Sequence, residues 1–174
     1  MRKAFTMVEL VFVIVVIGIL SGIAISKMSA TRDDATITKA KSTVASIRSA
    51  ISSEVQRRIM EGNYTAIKNV GGTVVVPGTL TGYNEPIFKY YDTPSNGSDP
   101  TIKIRVLEYP PYSCKDASST GCWIRSGATM YIYYAPGGVG GNVDFNVSNN
   151  RFDCDGLSTN NTQQKKDLCR MLDR

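Results

Sequence analysis

Apolar and polar positions change their rhythm twice along the chain. Residues 10–26 carry no charged side chain in seventeen positions and are dominated by Val, Ile and Leu. At 1.5 Å per helical residue they span roughly 25 Å, the short end of a bilayer crossing. From Lys27 to Glu61 there is no Pro or Gly, and Ile37, Val44, Ile47, Ile51, Val55 and Ile59 recur at helical spacing, with Ala40 and Ala50 on the same side. The spacing predicts one apolar stripe, with Arg32, Asp33, Asp34, Lys41, Arg57 and Arg58 turned to solvent. Gly62-Asn63 supplies the stop signal. A single helix over 5–61 would be roughly 85 Å long.

Beyond Gly62 the rhythm shortens to a period of two, broken by Gly, Pro, Asn and Ser. Residues 101–107 alternate, with Ile102, Ile104 and Val106 on one face and Lys103 and Arg105 on the other. Residues 128–134 are β-rich, and Val143, Phe145 and Val147 alternate again, so the Gly-rich stretch 136–142 reads as a hairpin loop. Residues 162–172 predict a terminal helix with Leu168, Cys169 and Leu172 inward. The expected class is α+β: a long N-terminal helix on a small antiparallel sheet. The divisions are residues 1–4, a short basic start; 5–26, a membrane-length helix; 27–61, an amphipathic helix; and 62–174, a β-rich head. No internal repeat is evident.

Composition narrows the chemistry. The chain has 174 residues, 42% of them hydrophobic, too apolar for a disordered protein, and it contains no histidine. Ser-His-Asp and Cys-His mechanisms and His-ligated metals are excluded, so an enzyme is not expected. Of the net charge of +5, residues 1–61 hold +4 (nine Lys/Arg, five Asp/Glu) and the head +1 (eleven against ten). The head therefore offers no dominant basic face for nucleic acid. Arg2 and Lys3 precede the apolar run, as a topology signal does.

Cys114, Cys122, Cys154 and Cys169 all lie in the head, at spacings that fit no metal knuckle or CxxC redox pair. An even number beyond a membrane segment favours disulfides. Of three possible pairings, Cys114–Cys122 with Cys154–Cys169 closes two local polar loops, the larger worth about 3 kcal/mol in the chain-entropy model.

The residues before the apolar run bear most on function. Glu9 stands at the start of a membrane-length segment, where a carboxylate costs about 2.5–3.5 kcal/mol on insertion scales and calls for a partner. An ordinary signal peptide, cleaved near Gly22-Ile23-Ala24, would have a longer basic region and no acid there. The stretch Ala4-Phe5-Thr6-Met7-Val8-Glu9-Leu10, with the helix behind it, resembles the type IV pilin and type II secretion pseudopilin superfamily over about thirty residues. The resemblance implies cleavage between Ala4 and Phe5 by a prepilin peptidase, which also methylates the Phe5 amine. It implies storage in the bacterial inner membrane with the head in the periplasm. An inner-membrane assembly platform then drives growth into a helical homopolymer, or one shared with other pilin-like subunits. Glu9 of an incoming subunit would pair with the Phe5 amine of a neighbour. The chain departs from the family in two places. Ala4 replaces the commoner glycine, and Ser26 stands where a proline often follows Gly18 by eight residues, so local unwinding there is not expected.

Three further motifs carry less. Asp153-Cys154-Asp155-Gly156, with Asp144 nearby, holds a fragment of a calcium loop but no bidentate Glu; otherwise no cofactor is expected. Four N-x-S/T triplets begin at Asn63, Asn96, Asn146 and Asn160. Those at Asn63 and Asn146 have an acid two residues earlier, which resembles the longer sequon of bacterial periplasmic N-glycosylation. Tyr83, Tyr90, Tyr91, Tyr109, Tyr112, Tyr131, Tyr133 and Tyr134 offer faces for single-stranded DNA, but their alternation reads more simply as core and cross-strand packing.

Overall fold

The computed structural model describes residues 6–75, 81–91, 103–137, 139, 141–155 and 162–173, with backbone alone for 25–30. Helix α1 runs unbroken over Met7–Met60, 54 residues or about 81 Å. Thr6 caps its start: extended in backbone, it accepts the Glu9 N–H on its hydroxyl at 3.3 Å. At its end Gly62 takes φ 75°, the Gly62 N–H reaches Ile59 O and the Asn63 N–H reaches Arg58 O. This Schellman arrangement, which only the left-handed Gly62 allows cheaply, stops the helix where the sequence signal placed it.

Four strands follow as an antiparallel meander in the order β1 (Cys122–Arg125), β2 (Met130–Tyr134), β3 (Asn142–Ser148) and β4 (Arg151–Cys154). Helix α2 (Gln163–Asp173) closes the chain, with Leu168, Cys169 and Leu172 buried as expected. The protein is thus α+β, an apolar N-terminal helix continuing into a helix that meets a four-stranded sheet. Alternation along the strands turns Trp123, Tyr131, Tyr133, Val143, Phe145, Val147 and Phe152 toward Ala40, Val44, Ile47 and Ile51 of α1. The rings interlock: Trp123 lies 4.9 Å from Tyr133 and 5.2 Å from Phe145, and Phe145 stacks on Phe152 at 5.0 Å. A smaller cluster of Val75, Cys114 and Ile124, joined by Ile132 and Tyr134, covers the outer face of β1 and β2.

Of the strand that alternation predicts over residues 101–107, the described part, 103–107, forms only a single bridge. Thr101 and Ile102 lie outside the described residues, and the bridge joins Arg105 to Tyr90. Val106 is buried and Ile104 half-buried, and backbone hydrogen bonds from Tyr91 N–H to Ile104 O and from Val106 N–H to Lys89 O, each 3.0 Å, hold this short stretch against residues 88–91. Strand β2 begins at Met130 rather than Ala128, because Ala128 O instead accepts a hydrogen bond from the Arg125 guanidinium at 2.8 Å. Strands β1 and β4, four residues each, were not anticipated.

The stripe on α1 also drifts from its expected course. Each residue turns about 100°, so steps of four from Ile47 through Ile51 and Val55 carry Ile59 about 120° off the core face. Ile59 is accordingly exposed, and the inward places fall to Glu54 and Arg58, each 4% exposed. Arg58, expected in solvent, donates to Glu54 Oε1 at 2.7 Å and to Thr65 O at 3.1 Å. Arg57 is half-buried and donates to both Glu54 oxygens, at 2.8 and 2.9 Å.

One loop position has little tolerance. Gly71 has φ 79°, and a Cβ there would sit 1.8 Å from Tyr90 O. Tyr131 fixes the same loop, accepting from Val70 N–H at 3.0 Å and donating to Gly71 O at 3.2 Å. Gly71→Ala should therefore cost at least about 2 kcal/mol from left-handed strain and backbone collision. Gly137→Ala, whose Cβ meets nothing within 4 Å, should be nearly neutral. Urea denaturation in detergent, followed by tryptophan fluorescence, separates the two.

Candidate functional site

The candidate site is the lower half of α1. Among the described residues Met7–Ala24 is the one helix long and apolar enough to cross a membrane, and none of it is buried against the rest of the chain. Eleven large apolar side chains between Leu10 and Ile23 stand exposed. An uninterrupted apolar surface of this kind needs a covering other than water. On insertion scales those eleven residues contribute about −3 to −7 kcal/mol, enough to carry Glu9.

Glu9 lies in the first turn, exposed, with its carboxylate at the positive end of the helix dipole. That placement is worth about 0.3–1 kcal/mol at an exposed site. Thr6 and Glu9 also stand in capping-box spacing, and the Thr6 half of the box is formed. The S/T-x-x-E pattern was readable from the sequence and was missed beneath the stronger membrane signal. Ala4 and Phe5, the expected cleavage and methylation positions, lie outside the described residues.

In the head, disulfides join Cys114 to Cys122 and Cys154 to Cys169, and no described cysteine is free. The first ties β1 to the preceding loop. The second fastens α2 to β4. Arg48 reinforces that corner, donating to Phe152 O at 3.0 Å and pairing with Asp173.

Two of the three carboxylates offered for calcium are engaged by cations of the chain itself. Asp144 accepts from Lys165 at 3.0 Å, and Asp153 meets Arg151 at 2.8 Å and Arg48 at 3.7 Å. Asp155 follows β4 and is exposed, and among the described residues no three metal-ligating side chains gather. Of the nine tyrosines, Tyr91, Tyr131 and Tyr133 are buried, and burial pushes the Tyr133 phenol up to about 12. Tyr64, Tyr109 and Tyr112 present open faces, the last two 90% and 62% exposed. Tyr109 and Tyr112 rim a groove of about 820 Å³ between residues 106–112 and the side of α1 that bears Lys39, Ser42, Thr43 and Ser46.

Compared with protein-family models, with curated proteins and with solved structures, the chain finds no match in any of the three.

Proposed function

We propose that this chain is a structural subunit of a type IV pilus or type II secretion pseudopilus, without catalytic activity of its own. One observation carries the reading: a helix whose first half exposes a charge-free apolar surface behind a lone Glu9, and whose second half holds a folded head. Lipid would cover that surface before assembly and neighbouring copies of the same helix would cover it afterwards. The rigid continuity of α1 would let assembly at one end set the position of the head at the other. Glu9 would pair with the Phe5 amine of a neighbour, and methylation would leave that amine cationic. Such a pair adds register more than affinity, since a misplaced subunit buries an unpaired carboxylate.

Cleavage before Phe5 is a direct consequence. Intact-mass measurement of protein from the cell envelope should give a chain starting at Phe5 and carrying one N-terminal methyl group. A chain starting at Ile25 would be a secreted domain and would end the filament reading.

The groove beneath Tyr109 and Tyr112 favours a second reading, a membrane-anchored binding protein or minor filament component, with single-stranded DNA as one ligand. Negative-stain microscopy of cells overproducing the chain separates the two. Filaments support the structural subunit; DNA binding without filaments supports the binding protein.

A further inference from the structure

The two acid-preceded triplets, alike in sequence, fall in opposite structural settings. Asn63 follows the Schellman turn at the top of α1, half-buried itself but flanked by the exposed Gly62 and Tyr64. A Cβ on Gly62 would meet nothing within 4 Å, Tyr64 is 80% exposed, and Glu61 and Thr65 are on the surface. Asn63 Oδ1 accepts the Thr65 N–H at 2.9 Å. This Asx turn folds the triplet back on itself and brings Asn63 and Thr65 together without the help of a sheet. Asn146 occupies the middle of β3, opposite Met130 of β2 and Asp153 of β4. Its Oδ1 is buried with no hydrogen-bond partner. Asp144 is held by Lys165 much as Glu61 is held by Arg57, so it is the backbone setting and not the acid that separates the two triplets. To present Asn146 to an enzyme, both ladders of the central strand would have to open.

We propose that Asn63 is an N-glycosylation acceptor and that Asn146 is not. The sugar donor is a lipid-diphosphate-linked oligosaccharide on the non-cytoplasmic side of the membrane. The Asn63 Nδ2 forms a bond to the anomeric carbon, and the bond from that carbon to the phosphate oxygen breaks. The lipid diphosphate leaves with the electron pair, and the amide proton passes to a base of the transferase. Glu61 and Thr65 are the flanking groups the transferase reads, two residues to either side of Asn63. The site lies just beyond the end of α1, which runs about 54 Å from Ala24 to Met60, so a glycan there leaves the apolar half of the helix open for assembly. The inference rests on the membrane-anchored reading in one respect, that the head faces away from the cytoplasm.

The test uses the full chain purified in detergent from the envelope of its own cells and digested with trypsin without reduction. Peptide 59–68 should carry one glycan at Asn63, and peptide 126–151, which contains Asn146, should have its sequence mass. Asn63→Gln, Glu61→Gln and Thr65→Ala should each lose the glycan, and Thr65→Ser should keep it. The disulfide-linked cysteine peptides in the same digest report export and folding for every variant. Disulfides formed with peptide 59–68 only at its sequence mass would overturn the proposal and leave the membrane reading intact. Reduced cysteines with no glycan would overturn both. A glycan on Asn146 in place of Asn63 would overturn the assignment.

Discussion

Glu54→Ala is expected to destabilise the head by about 3–5 kcal/mol, the usual cost of removing one member of a buried ion pair. Glu54 and Arg58 are both almost wholly buried, and Glu54 Oε1 takes hydrogen bonds from Arg57 and Arg58 together. Without the carboxylate, Arg58 keeps Thr65 O but faces the core with an uncompensated charge. Arg57, half-buried, can swing to water, so most of the loss falls on Arg58. The paired change Glu54→Leu with Arg58→Met should recover most of the stability, because two well-packed apolar groups need no partner. Trp123 is the single tryptophan and is buried against Phe88, Tyr133 and Phe145, so its fluorescence in urea reads the unfolding directly. A loss under about 1 kcal/mol for Glu54→Ala would mean the pair adds nothing to the fold.

The same carboxylate sets a pH dependence. Burial alone would raise its pKa, but the hydrogen bonds and charges of Arg57 and Arg58 outweigh burial and hold it below the ordinary value. The unfolded chain then binds the proton first as pH falls, so this stabilisation is complete above about pH 4.3 and is lost on further acidification. Glu54→Gln should flatten the acid side of the stability curve in that window. Tyr91 sits beside the pair with its hydroxyl buried and without a hydrogen-bond partner. Burial, and then the charge of Glu54, push its phenol upward while Arg58 opposes them.

Glu9→Ala should have the second large effect, on assembly rather than on folding. Insertion should survive, because the substitution removes the one charged group at the start of an apolar surface. Helix α1 should lose only about 0.3–1 kcal/mol of dipole interaction, since Thr6 still caps the Glu9 position through the backbone N–H. Cleavage should also proceed, as Ala4 and Phe5 are unchanged. Assembly should fail, because the neighbour's Phe5 amine would enter a low-dielectric contact unpaired, at about 3–5 kcal/mol per subunit. Glu9→Asp keeps the charge and shortens its reach, so its effect should be milder.

Regular periodicity made much of this molecule readable. The terminal helix, the strands at 130–134 and 142–148 and the stripe from Ile37 to Ile51 all follow from spacing and side-chain type. Where periodicity stops, so does legibility. Strands β1 and β4 are too short for alternation to show above chance. Ile67, Val70, Ile87 and Phe88 are core residues held in irregular backbone, Phe88 at φ 62°, and no local pattern marks such positions. At the top of α1 a general rule gave the wrong answer: charged residues face solvent unless paired, and Glu54 and Arg58 are paired. Their i, i+4 spacing is visible in the sequence, yet the same spacing is common on solvated helix faces. The Asx turn at Asn63 and the buried Asn146 show the converse, two nearly identical motifs told apart only by the backbone that carries them.

If copies of this chain assemble through the apolar half of α1, Glu9 would be the charged partner at each junction. The most direct measurement co-expresses wild-type and Glu9→Ala chains at equal levels, shears the surface filaments and counts each chain by mass spectrometry. The filaments should consist almost wholly of wild-type chains, with the variant processed at Phe5 and left in the membrane. Equal incorporation, or homopolymeric filaments from Glu9→Ala alone, would contradict that role for Glu9.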